Sequence, residues 1–537
     1  MAITTEKKVF TSGAQERTES FSEGPTSTET VPLRAFKWSS LWRPAEVNPL
    51  NHKSTTFPLL RFWDTYSAAF WLATLGFFVA FLSWFAFSPL VPEAVKEDLG
   101  LSQDEVVNSN LAALGGAAIV RLLVGPACDK FGPRKVLAAL LIIGAIPSGL
   151  AAIVTNIHEL QAVRFFISIL GGTFVPTQAY TTTFFDTSIV GTANAFSGGW
   201  GNLGGGVTVA VMIGLFERFR TSGYTSHLSW RLCFLVVPLP CLILSALFIL
   251  LVGRDHPTGR WSKRQESIRP MGTRVECNNA SGISTGQDTP IDQEKPVMRS
   301  IVETAKAISL AVTQTEPLTK KALLEILQDV RVWTCAVCYL LTFGLETALD
   351  AALPGLIYNL FQSESFTAVD AAYAASTYGL MNIFARPLGG IVSDLLYKRY
   401  GLRSKVQWLF ATAFAQGIAM IGLGVYIDSN TATIGGVIGF IVLIAVTGFA
   451  ANGACYSVYG HLRPKNIGAV AGLIGAGGNV GGIIYTLIFK YQPGTKLTNS
   501  TLYPGGFNSL GRKFWIAGIV NAVGVLPALF LPLGNAI

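Results

Sequence analysis

Apolar runs of about twenty residues or more recur along the chain, separated by short polar stretches. That is the pattern of helices long enough to cross a bilayer. In the first half the runs predict helices over 67–90, 107–128, 136–154, 160–184, 189–216 and 232–252. In the second half they predict helices over 332–361, 371–395, 406–427, 434–460, 468–490 and 514–533. Between them lies a polar stretch, 253–330, rich in Pro, Ser, Thr, Asn and Gln, and before them a polar tail, 1–60. The pattern describes an all-α membrane protein of twelve helices in two six-helix halves, 61–252 and 331–537. The tail is expected to be disordered and the stretch 253–330 to be a linker, with a short amphipathic helix near 320–329. An even number of spans puts both termini on one side. The basic loops at 130–135, 398–405 and 463–465 and the linker share that side, which the positive-inside rule makes the cytosol. The opening residues lack the form of a secretory signal peptide and read as a cytosolic tail. Of the two glycosylation sequons, Asn499 then falls outside the cell and Asn279 inside it.

Only 13% of the 537 residues are charged and 50% are hydrophobic, with mean hydropathy +0.45. Soluble domains carry about 25% charged residues, so the deficit points to an integral membrane protein in a lipid bilayer. The net charge of +8 follows from loop topology and implies no nucleic-acid partner. Cys335 and Cys338 form a CxxC inside an apolar run, where i, i+3 spacing merely puts two small residues on one helix face. Five scattered histidines make no metal motif, and no nucleophile–base pair or cofactor motif occurs, so no catalytic residue, metal or cofactor is expected. Gly199, Gly201 and Gly204 match a dinucleotide fingerprint, but that motif needs a strand before it, and here it lies within a membrane helix.

Two features occur once in each half. Arg121, Gly125 and Asp129 in helix two follow R-x3-G-x3-D, and Arg386, Gly390 and Asp394 in helix eight repeat it. A glycine-rich stretch with one asparagine then follows: Gly198 to Gly206 around Asn202, and Gly475 to Gly482 around Asn479. The same features in the same order mark a duplicated half. Glycines let helix backbones approach closely in a bilayer, which is the expected role of Gly201, Gly204, Gly205, Gly478, Gly481 and Gly482. Each asparagine brings donors and an acceptor to membrane depth.

Steps of four keep Arg, Gly and Asp near one helix face, and eight residues of helix rise ~12 Å. With the aspartates at the cytosolic mouth, the arginines sit deep in the bilayer, where each costs roughly 2.5–3.5 kcal/mol. Neither helix offers an acid nearby. One alternative is that each arginine bonds backbone carbonyls and braces the bundle. The other is a paired cationic site for a planar oxyanion, which the forked guanidinium suits. Asp129 with Arg134, and Asp394 with Arg403, are expected to latch the halves at the cytosolic mouth.

The loop from Gly125 through Asp129, Gly132 and Arg134 to Lys135, the duplicated halves and the long linker resemble the major facilitator superfamily. Within it, the segments 199–205 and 477–482 resemble the two nitrate signatures of the nitrate/nitrite porter family. The large linker makes the chain most similar to fungal high-affinity nitrate transporters. The likeness covers about 60–535, although the second cytosolic loop departs from the superfamily spacing. It implies that Arg121 and Arg386 bind nitrate and that Asn202 and Asn479 are the signature asparagines. It also matches Phe174 and Tyr339 to pocket aromatics, with core packing as the alternative.

The resemblance implies a secondary active transporter that imports nitrate, and also nitrite, across the plasma membrane by alternating access coupled to protons. Its functional unit is expected to be a monomer. Glu346 and Asp350 in helix seven are candidate proton carriers; each also reads as an outer-end charge or a structural partner. A nitrate/nitrite exchanger and a transporter-like nitrate sensor are the alternatives.

Overall fold

The structure, a computed structural model, describes residues 38–263, 316–492 and 509–530, apart from 50, 364 and 430. Both sequons, at Asn279 and Asn499, lie outside the described residues, as do 1–37 of the tail and 264–315 of the linker. The first half contains α1 Thr65–Phe87, α2 Gln103–Phe131, α3 Pro133–Ile153, α4 Ile157–Phe184, α5 Val190–Thr221 and α6 Ser226–Val252. The second begins with α7 Val330–Phe361. Then comes α8 in two pieces, Ala368–Leu380 and Ala385–Tyr400. It ends with α9 Leu402–Asp428, α10 Ile434–Tyr459, α11 Pro464–Tyr491 and α12 Arg512–Phe530. Among the described residues eleven of these are long and apolar enough to span by themselves; α8 completes the twelve.

The break in α8 has a local cause. Pro387 has no N–H to give the carbonyl four residues earlier, which belongs to Ile383. The Trp200 indole of α5 bonds that carbonyl instead, at 2.9 Å. The helix is thus interrupted up to Phe384, two residues before Arg386, and the interruption is held by the other half.

Within the halves, α1 packs on α5 and α7 on α11; across them, α2 packs on α11 and α5 on α8. The chain ends reinforce the linker face. Residues 38–60, assigned to the disordered tail from sequence, pack there: Phe57 is 3% exposed, and Asn48 and Asn51 donate to Asp186. A short polar stretch with isolated apolar anchors carries no periodicity, so its order is not visible from pattern. The linker's first residues return to the α2–α3 turn, where Arg134 pairs with Asp255 at 2.6 Å. Gly132 has φ +91°, a conformation reserved for glycine, and an added Cβ would meet the Trp261 ring at 3.0 Å. The expected amphipathic helix runs Lys320–Gln328 behind an N-cap at Thr319. Asp329 after it binds Arg463 at 3.1 Å. Burial pushes the Asp329 carboxyl up, but hydrogen bonds from Arg331 and Arg463 hold it below its ordinary value.

On the opposite face, Asp98 of the α1–α2 loop accepts from Trp230 at 3.0 Å and from Arg231 at 2.7 Å, tying the loop to α6. Burial pushes the Asp98 carboxyl up as well, and bonds from Arg231, His227 and Trp230 outweigh it and hold it down.

Candidate functional site

The two R-x3-G-x3-D motifs lie against the start and glycine stretch of the opposite half. Along α2, an added Cβ on Gly472 would lie 2.5 Å from the Arg121 carbonyl, and one on Gly125 would lie 2.6 Å from the Gly468 carbonyl. Along α8, one on Gly199 would lie 3.0 Å from Arg386 Cβ, and one on Gly390 would lie 2.6 Å from the Gly191 carbonyl. Glycine removes the side chain at each crossing, so the backbones touch.

Each motif ends by capping a helix of the other half. Asp129 accepts from the backbone amides of Gly468 and Ala469 at 2.9 and 3.0 Å, at the start of α11. Asp394 accepts from the amide and hydroxyl of Thr192 at 2.6 and 2.8 Å, at the start of α5. First-turn amides lack partners within their own helix and carry its positive end, so a carboxylate there ties the two halves together through backbone amides. The structure thereby corrects the expected latch. Arg134 pairs with Asp255 rather than Asp129, and Arg403 is exposed. The cation that does reach Asp394 is Lys405, at 2.8 Å, with Ser457 and His461 also on its ammonium.

Eight residues deeper, both arginines are fully buried, 0% exposed. Arg121 donates from Nε to the Gly171 carbonyl at 2.8 Å and from Nη1 to the Gly475 carbonyl at 2.7 Å. Gly171 sits where α4 tightens to a 3-10 turn, Ser168–Thr173. Arg386 donates from Nη1 to the Gly198 carbonyl at 3.3 Å and from Nη2 to the Glu346 carboxylate. Each guanidinium therefore reaches the glycine stretch of the opposite half. Neither arginine's own helix offers an acid nearby, but for Arg386 another helix does: α7 supplies Glu346, 3% exposed and also bonded by Asn452 at 2.9 Å. For Arg121 the described residues supply no carboxylate. In this site three donors have no partner among the described residues: Arg121 Nη2, Arg386 Nε and the Asn479 amide nitrogen; the Asn479 amide oxygen also lacks one.

Aromatic rings fill the space between. The guanidinium carbons of Arg121 and Arg386 lie 4.9 and 5.9 Å from the centroid of one ring, Phe343. Phe174 lies 5.2 Å from Arg121 and stacks on Tyr339 at 5.7 Å. The Tyr339 hydroxyl meets that of Tyr456 at 3.1 Å. The two expected aromatics are thus brought to the arginines. Phe343, Tyr456 and Asn452 were not singled out. A helical signal was available for Phe343, since Tyr339, Phe343 and Glu346 fall at i, i+4 and i+7 on one face of α7.

The signature residues differ in what they do. Asn202 bonds its own helix at the Gly198 carbonyl, 2.7 Å, whereas Asn479 is 0% exposed and unbonded. Side chains at Gly201, Gly204, Gly478, Gly481 or Gly482 would collide with Phe77, the Phe78 carbonyl, Tyr339, the Leu340 carbonyl and Thr347. Gly205 has ordinary room beside Phe85, at 3.4 Å. Asp350 lies one turn along α7 from Glu346, partly buried.

A duplicated twelve-helix bundle with a buried cationic centre between its halves defines a secondary transporter rather than an enzyme. Residues 73–486 match the Major Facilitator Superfamily. The chain is 31% identical over 483 residues to the high affinity nitrate transporter 2.5 of Arabidopsis thaliana, covering 89% of this chain and 83% of that protein. It is 31% identical over 440 residues to nitrate transporter 2.2 of Chlamydomonas reinhardtii, covering 81% and 75%. It is 27% identical over 452 residues to the nitrate/nitrite transporter NrtP of Nostoc punctiforme, covering 77% and 85%. Among solved structures it is similar to the proton:xylose symporter XylE of E. coli, with TM-score 0.60 at 16% identity over 87% of this chain and 96% of that one, a likeness of fold alone. The chain is a multi-pass membrane protein and belongs to the major facilitator superfamily, in its nitrate/nitrite porter family.

Proposed function

We propose that the chain imports nitrate, with nitrite as a second substrate, across the plasma membrane by alternating access driven by protons. The observation that carries this is the unpartnered donors of Arg121, Arg386 and Asn479 at the interface of the halves. A buried donor left unmade costs about 1–3 kcal/mol, more when charged. A planar oxyanion offers acceptors and a countercharge to several such donors at once. Relatives named nitrate transporters support the choice of oxyanion. By the positive-inside rule the linker face, with Lys130, Lys135 and Arg463, is cytosolic, as are both termini.

The Arg386–Glu346 pair gives the coupling a physical form. An anion that reaches Arg386 competes with the Glu346 carboxylate. A proton on Glu346 removes the competitor and frees the guanidinium. When nitrate and the proton leave on the other side, the pair forms again. Moving one anion inward against a negative-inside potential costs about 2.3 kcal/mol per 100 mV. One proton cancels that charge, and a second makes entry electrically favourable; Asp350 is the neighbouring carboxylate. The glycine crossings of α5 with α8 and of α11 with α2 are where the halves rock.

Purified protein in liposomes tests this with nitrate and nitrite, each with and without an inward proton gradient. Uptake of both anions, accelerated by acid outside, is expected. Failure to move either anion contradicts transport, and equal rates with and without the gradient contradict the coupling.

A further inference from the structure

Away from the linker face, a small cavity lies between α1, α2, α4 and α7, lined by Trp84, Asn110, Leu114, Arg164, Thr347 and Ala351. Its arginine is 6% exposed and lies in a membrane-spanning helix. Its hydrogen-bond partners among the described residues are neutral: Nη1 donates to Ser109 Oγ at 2.6 Å and Nη2 to Asn110 Oδ1 at 3.1 Å, and its guanidinium carbon lies 5.8 Å from the Phe87 ring centroid. No carboxylate pairs with it among the described residues. Nearby acids have other partners. Asp98 holds Arg231, Glu105 takes the amide and hydroxyl of Ser102, and Asp104 lies 3.7 Å from Lys490. A permanent cation at this depth is costly unless something anionic meets it.

The cavity also adjoins the central site. Leu114 and Thr347, in its wall, are the side chains that an added Cβ on Gly482 would meet. Thr347 lies one helical turn, ~6 Å, along α7 from Phe343, whose ring both central guanidiniums flank. Both halves build the cavity, since α7 faces α1, α2 and α4 across it.

We propose that Arg164 forms a second, outer binding site for a small monovalent oxyanion, a staging point before the site of Arg121 and Arg386. The site rests on the anion-transport reading and is tested separately from it. A cation in a cleft with low-dielectric walls raises the local anion concentration and the rate of entry. The Asn110 side-chain amide supplies a neutral donor at the cavity wall, its oxygen being the atom that faces Arg164, so the ion is held weakly enough to move on.

The test is equilibrium dialysis of labelled nitrate with the purified full-length protein, with gluconate as the balancing anion. Wild type, Arg121→Gln/Arg386→Gln and Arg121→Gln/Arg386→Gln/Arg164→Gln are compared, with folding checked by size-exclusion profile and thermal melting. The double variant is expected to retain one weaker nitrate site per chain, and the triple variant to lose it by about tenfold or more, given that the attraction is electrostatic. In the double background, Arg164→Lys retains the site because the charge remains. Wild-type binding with none in the double variant overturns the outer site, as does equal binding by double and triple variants. Wild type and double variant binding alike contradicts the central site and leaves the outer one standing. In liposome uptake, Arg164→Gln raises KM with kcat nearly unchanged; a fall in kcat at unchanged KM marks a merely structural arginine and overturns the proposal.

Discussion

Arg386 donates to Glu346, whereas Arg121, its counterpart in the duplicated half, donates to the carbonyls of Gly171 and Gly475. Two halves related by repeat thus hold their central cations differently. One cation is masked by a carboxylate that a proton can neutralise, and the other is held by backbone dipoles that no proton affects. The coupling proposed above therefore rests on the second half. Glu346→Gln keeps the shape and removes the titrating group. Nitrate-evoked inward current should then lose its stimulation by external acid while nitrate binding persists. A variant current that still rises with acidity as in wild type contradicts a coupling role for Glu346.

The glycine stretches make a prediction that separates members of one motif. An added Cβ on Gly481 would collide with the Leu340 carbonyl and lie 3.0 Å from Leu340 Cα, leaving α7 and α11 no room. Overpacking of this kind costs about 1–3 kcal/mol. A Cβ on Gly205 would make ordinary contact with the Phe85 ring at 3.4 Å, and alanine there gains helix propensity of about 1 kcal/mol. Gly481→Ala should therefore lower the melting temperature of the detergent-purified protein and abolish uptake, whereas Gly205→Ala melts at or above wild type and transports. Equal behaviour of the two contradicts the packing assigned to the motif.

The cluster around Asp394 carries its own pH dependence. Burial, and then the Lys405 ammonium 3.0 Å from Nε2, push the His461 ring well below its ordinary value. The folded protein thus holds His461 neutral at a pH where the unfolded chain takes up a proton. Stability is unaffected above the unfolded value near 6.5 and falls as pH drops below it, by at most ~1.4 kcal/mol per pH unit for one proton. Thermal unfolding from neutral to mildly acid pH should show this slope in wild type and a shallower one in His461→Gln. Identical slopes contradict it.

Helix number, the repeat and both central arginines were legible in the sequence because each leaves a local mark. An apolar run, a motif recurring in order, and a cation within hydrophobic sequence are all read along one chain. Partners across the bundle were not. Nothing near Arg386 in sequence indicates that Glu346, forty residues earlier, supplies its carboxylate, although both residues stood out as charges in apolar runs. The aspartates of the loop motifs stood out in the sequence, but acid beside base suggests an ion pair. The contacts that cross between the halves include backbone amides, which every residue but proline carries and which therefore leave no mark. Order in 38–60 was missed for a related reason: Phe57 and Leu59 are isolated apolar anchors in a polar stretch and make no helical period.

The central claim is that two guanidiniums, one from each half, clamp one planar anion. Lysine keeps the charge but not the fork, so Arg121→Lys and Arg386→Lys separate a bidentate clamp from a simple cationic field. The direct measurement is initial nitrate uptake into liposomes at limiting nitrate by each of these variants. The clamp predicts a fall of about tenfold or more in kcat/KM for each, the loss of a charge-assisted bond being worth about 1.5–3 kcal/mol. Uptake by both variants close to wild type would contradict it.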